Sequence, residues 1–137
     1  WLFIVLQGCA NQPNFDLSKI HTPIIFRGDA VTAYRDPAVL FHENTFYLFF
    51  TLVEIEQDGK VFSYTAYSSS NDLLDWSKPH KITPRDQHLN FSSPGNIINY
   101  QGEWILSLQT YPRPAHYITE TKRYGNLDAL IFIMTSK

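Results

Sequence analysis

Tyr34-Arg35-Asp36-Pro37 is the stretch of this sequence best suited to chemistry. Proline fixes its own backbone and biases the residue before it to an extended conformation, so Asp36 is expected to be held rigidly. A carboxylate held that way at the head of a strand suits general-base work. Arg35 beside it is expected to favour its charged form. The competing reading is structural: Asp-Pro is a common turn dipeptide, and Asp36 could cap its own turn or pair with Arg35. A second group, Ser92-Ser93-Pro94-Gly95-Asn96, sets another short polar residue before a proline.

The elements that must position these residues read as strands. Ala38-Val39-Leu40-Phe41 and Thr45-Phe46-Tyr47-Leu48-Phe49-Phe50-Thr51 flank the polar turn His42-Glu43-Asn44, which predicts a hairpin with a short loop. Asp58-Gly59 marks a turn, and the alternation from Val61 to Ser69 predicts a third strand. Ser70-Asn71-Asp72-Leu73-Leu74-Asp75-Trp76 reads as a turn in which Asp72 caps and Trp76 plugs. Pro79 and Pro84 bracket a short outer strand near Lys81-Ile82.

The pattern then restarts. Asn96 to Asn99 predicts a strand, Tyr100-Gln101-Gly102-Glu103 a turn, and Trp104 to Gln109 the next strand. Pro37 and Pro94 lie 57 residues apart, Phe46 and Trp104 58, and Ser70 and Ser136 66. Antiparallel strands repeating at this period suggest propeller blades. Pairing would return Thr51 to the rim that carries Asp36, and Gln109-Thr110-Tyr111 to the rim beside Ser93-Pro94. The second copy stops where Asp72-Leu73 and Trp76 would recur, so the sequence reads as under two blades of a ring that needs at least about four.

Composition narrows the function classes. The chain has 137 residues, 44% of them hydrophobic and 15% aromatic, enough to bury a core and contrary to disorder. A formal net charge of −2 argues against nucleic acid as a partner. The one cysteine excludes an intrachain disulfide framework and a Cys-based zinc cluster. The six glycines never fall at dinucleotide or phosphate-loop spacing, and neither H-E-x-x-H nor G-x-S-x-G occurs. Nothing points to a protein partner.

At the N-terminus, Leu2-Phe3-Ile4-Val5-Leu6 is far short of the ~20 apolar residues of a membrane span and reads as the tail of a secretory signal. Leu6-Gln7-Gly8-Cys9 resembles a bacterial lipobox, which implies lipidation of Cys9 and membrane anchorage; Gln7 departs from the usual small residue. Cleavage after Ala10 and a buried N-terminal strand are the rival readings. The expected organisation is 1–10 as signal remnant, 11–23 as tether and 24–137 as the N-terminal part of the propeller domain.

Arg35-Asp36-Pro37-Ala38-Val39, then Thr45 to Thr51, then Tyr67 to Trp76, taken in order, resemble the first blade of the five-bladed propeller glycoside hydrolases of family 43 and its relatives in families 32, 62, 68 and 117. The resemblance runs from about residue 24 to the end of the sequence. It implies an all-β fold of four-stranded antiparallel blades, a carbohydrate substrate, and Asp36 as general base or, in retaining relatives, nucleophile. It requires no metal or organic cofactor. Tyr34, Arg35, Thr51, Ser93, Asn96, Gln109 and Tyr111 are the expected substrate-binding residues, Tyr34 and Tyr111 by stacking on a sugar face or else as ordinary packing. Two departures stand out. Ser93 sits where many family 43 enzymes place a second Asp, and no residue presents itself as the general acid. A non-catalytic glycan-binding propeller at the cell surface is therefore the second expectation.

Overall fold

The computed structural model describes residues 15–86, 88–112 and 129–136. Among them the chain is all-β, with two antiparallel four-stranded sheets, a 3-10 turn at Leu17–Lys19 and no α-helix. No helix among them is long and apolar enough to cross a membrane.

The first sheet is β1 (Thr32–His42), β2 (Thr45–Ile55), β3 (Val61–Ser70) and β4 (His80–Lys81), in chain order. Glu43 and Asn44 close the β1–β2 hairpin with φ of 47° and 59°, the left-handed pair that matches strand twist. Paired residues share a face, which explains why β2 is apolar on both sides. Its even-numbered residues meet the segment leading into β1. Phe15 lies 4.7 Å from Phe46, and Phe26 stacks 5.1 Å from Tyr34 and 5.5 Å from Phe50. Phe15 thus touches the sheet from within the stretch expected to be a tether.

On that face Phe50, Leu52, Phe62, Tyr64 and Ala66 form the core. Each large side chain buried there stabilises the fold by about 1.5–3 kcal/mol. The face ends in charged lids. Arg85 lies 3.9 Å above the Phe62 ring and grips Glu56 with two 2.7 Å bonds, while Lys81 lies 4.0 Å above Tyr64 and 2.6 Å from Glu54. The outer edge of β3 is covered by β4, by backbone bonds from Ser77 and Ile82, and by side chains, which is how an exposed ladder is blunted. Thr83 Oγ1 accepts from Thr65 N–H (2.9 Å) and Ser77 Oγ from Ser69 N–H (3.0 Å). In the turn that follows, Asp72 Oδ1 accepts from the N–H groups of Leu74 and Asp75, and Trp76 Nε1–H donates to the Leu73 carbonyl.

The second sheet is β5 (Leu89–Ser92), β6 (Ile97–Tyr100), β7 (Glu103–Pro112) and β8 (Leu130–Ser136). β8 pairs with Trp104 to Thr110, overlapping the partners of both β5 and β6. β5 and β6 therefore lie end to end on the opposite edge of β7, together matching β1. The registers repeat at the expected offsets. Arg35↔Thr51 becomes Ser92↔Gln109, and Phe46↔Ser70 becomes Trp104↔Ser136. The drift from 57 to 58 falls just before β6: Gly95 N–H bonds the Ser107 carbonyl, whereas Ile97 already pairs with Leu106. Gln101 and Gly102, with φ of 52° and 85°, rebuild the same left-handed turn.

β1 corrects one expectation. The strand does not start after Asp36 but at Thr32, and it runs through Asp36-Pro37 as a bulge between Arg35 and Ala38. The bulge absorbs the proline, whose missing N–H would break a continuous ladder. β5 was not anticipated, because Leu89-Asn90-Phe91-Ser92 is too short to show an alternation.

The two sheets stack in one sense. The odd-numbered face of β2 carries the second sheet, with the Trp104 ring 4.7 Å from His42 and Asn90 Oδ1 accepting from Ser63 N–H at 3.0 Å. Trp104, Leu106, Leu108 and Thr110, the repeat equivalents of Phe46, Leu48, Phe50 and Leu52, share the face turned towards the first sheet. Ile98, Ile131 and Ile133 lie on the opposite face, 54%, 74% and 69% exposed.

Candidate active site at the junction of the sheets

Asp36 lies at the bulge with a φ of 53°, and its repeat equivalent Ser93 has a φ of 46° between β5 and β6. Pro37 was expected to hold Asp36 extended. The structure puts it in the left-handed region instead, a conformation that Asp tolerates better than most residues. Two anchors on the carboxylate hold it there. Thr51 Oγ1–H donates to Asp36 Oδ2 at 3.0 Å, and Ser93 Oγ–H donates to the same oxygen at 3.2 Å. Ser93 N–H donates in turn to Thr51 Oγ1 at 2.7 Å. Asp36 is half-buried, on the edge strand of the first sheet, and its partner Ser93 is on the equivalent edge of the second. Among the described residues no hydrogen bond reaches Oδ1.

The other expected residues divide. Arg35 is exposed and, among the described residues, forms no ion pair with Asp36; hydroxyls occupy the place expected for a cation. Tyr34 is packed between Phe26 and the edge of Phe50, so one ring face is already covered. Thr51 is 1% exposed, with its hydroxyl shared between Asp36 and Ser93. Asn96 is exposed, three residues beyond Ser93. Gln109 occupies the position equivalent to Thr51, and its Oε1 accepts from Tyr111 O–H at 2.7 Å, so these two side chains bond each other. Cys9 lies outside the described residues.

Sequence reasoning missed what holds this corner in place. A Cβ at Gly95 would stand 2.5 Å from Ser107 Oγ, so only glycine lets the strand after Pro94 come this close to β7 without displacing that side chain. Asn90, 6% exposed, ties β5 to the β3 edge. The 57-residue offset marks Asp36 and Ser93 as equivalent positions, but no local pattern signals their hydrogen bond or the cross-sheet amide. Among the described residues no group of three His, Cys, Asp or Glu side chains could hold a metal ion.

No family model, curated protein or solved structure matches this chain.

Proposed function

We propose that this chain is the N-terminal part of a β-propeller glycoside hydrolase, five-bladed when complete, in which Asp36 activates the attacking water. The observation that carries the reading is the meeting of Asp36 and Ser93, equivalent residues on equivalent edge strands, with one carboxylate oxygen anchored and the other unengaged among the described residues. The stacking supports the ring. The face of the second sheet turned to the first is the repeat equivalent of the first sheet's opposite face, and contacts of that head-to-tail kind close into rings when the rotation permits.

Asp36 Oδ1 would take a proton from water as that water attacks the anomeric carbon, and a second carboxyl group would protonate the leaving oxygen. Glu54 and Glu56 are tied to Lys81 and Arg85, Glu43 lies in a turn 3.5 Å from His42, and Glu103 starts β7 at a turn. The reading assigns the acid to a Glu outside the described residues. It includes export, with Cys9 as the membrane anchor.

One observation favours the second reading, a glycan-binding propeller without catalysis: Ser93 offers a hydroxyl where a second carboxylate would tune the acid. Asp36→Asn separates the two. General-base assistance contributes about 10²–10⁴-fold, so kcat on a responsive 4-nitrophenyl glycoside should fall by that order while affinity for the sugar persists. Hydrolysis unchanged in Asp36→Asn refutes the base assignment. Binding without hydrolysis in either protein supports the lectin-like reading.

A further inference from the structure

Building on the reading of Asp36 as the base, we propose that Thr51 is the positioning residue for that carboxylate, with its hydroxyl aimed by the Ser93 backbone. A hydroxyl has one proton to give and lone pairs to receive. Thr51 Oγ1 receives the Ser93 N–H at 2.7 Å, so its proton is directed elsewhere, and Asp36 Oδ2 stands 3.0 Å away. The direction of the Ser93 N–H is set by backbone, with φ at 46° and a buried proline next. The β-branched Thr51 side chain has few χ1 choices, and at 1% exposure neither water nor a ligand can take its place.

The arrangement divides the work of the carboxylate. Oδ2 is fixed by Thr51, with Ser93 Oγ–H as a second, longer donor at 3.2 Å, and rotation about the Asp36 side chain is restrained. Oδ1 keeps its lone pairs for a reacting proton. Thr51 was expected to bind substrate. Its burial gives it this indirect role instead, and its position ties the geometry of Asp36 to the docking of the second sheet.

The test uses the full-length protein, of which this chain is read as the N-terminal part, and two independent readouts. The first needs no activity: isotope-edited infrared spectra with carboxyl-labelled aspartate, in which subtraction of Asp36→Asn isolates the Asp36 band. Thr51→Val, which keeps the shape and removes the hydroxyl, should shift the antisymmetric carboxylate stretch, Thr51→Ser should restore it, and Ser93→Ala should shift it less. An unchanged band in Thr51→Val overturns the proposal. If that variant fails to fold, Thr51→Ala, which removes the same hydroxyl, takes its place, and an unchanged band there overturns the proposal. The second is hydrolysis of 4-nitrophenyl pentosides and hexosides. Loss of a hydrogen bond to a charged group should lower kcat at least about tenfold in Thr51→Val with KM unchanged, and Thr51→Ser should recover it. A rise in KM alone would show Thr51 acting on substrate and overturn the positioning role. Failure of the full-length wild type to hydrolyse any glycoside counts against Asp36 as a base, while the infrared result still decides what positions it.

Discussion

Asn90 is the sharpest test of how the two sheets are joined. Its Oδ1 accepts from Ser63 N–H at 3.0 Å across the junction, and the residue is 6% exposed. Asn90→Ala removes the acceptor and leaves a part-buried N–H without its partner, at a cost of about 1–3 kcal/mol. Thr83→Val is the matched control. It takes away the acceptor for Thr65 N–H, two residues along the same strand, but within the first sheet. Both variants should lower the urea midpoint with an unchanged m-value. Only Asn90→Ala should also disturb Asp36, because Asn90 lies three residues before Ser93 and helps to hold it in place. Amide exchange would report Ser63 and Ser93 together in Asn90→Ala, and Thr65 alone in Thr83→Val. A loss below about 0.5 kcal/mol in Asn90→Ala, within the range of ordinary surface substitutions, would refute the claim that this amide couples the sheets.

Two further outcomes are expected. The backbone N–H groups of Asp75 and Leu74, with the Ser70 hydroxyl, hold the Asp72 carboxyl below its ordinary range, so its contribution is present above the unfolded value of about 3.9 and is lost as pH falls through the lower folded value. Asp72→Asn should therefore be less stable than wild type at neutral pH and converge with it in acid; an equal deficit at both ends would show that the charge is irrelevant. If Cys9 is the membrane anchor, the precursor made in a bacterial host should incorporate an alkyne-tagged fatty acid and Cys9→Ser should not, and label in both or in neither would remove the anchor.

How far the fold was legible depends on range. The β1–β2 hairpin, its turn at Glu43-Asn44 and the turn at Gln101-Gly102 rest on local chemistry, and their residues announce them. The repeat was visible as an offset because Pro37 and Pro94 sit at equivalent backbone breaks. The N-terminal half of β1 was hidden by that same proline, which in isolation looks like a boundary rather than a bulge. Asp36 was identified as the reactive candidate, but its partners were not: Arg35 is adjacent in sequence and uninvolved, while Ser93 is 57 residues away and bonded to it. Thr51 was expected beside Asp36 as a substrate contact; its pairing with Arg35 puts it beside Asp36, but it is buried and bonded to Ser93 at the second sheet, which no pattern around Thr51 records.

The order of strands in the first sheet has a consequence for how the molecule assembles. Its ladders join only strands adjacent in the chain, β1 to β2, β2 to β3 and β3 to β4. Pairings of such low contact order form early, hairpins within about 1–10 μs, because little loop entropy is lost before contacts compensate it. The links that complete the Asp36 corner span 42 and 57 residues. Thr51 can meet Asp36 within one hairpin, but Ser93 arrives only with the second sheet. The Asp36 corner thus depends on long-range contacts that no single hairpin supplies, and it is complete only when the second sheet has docked.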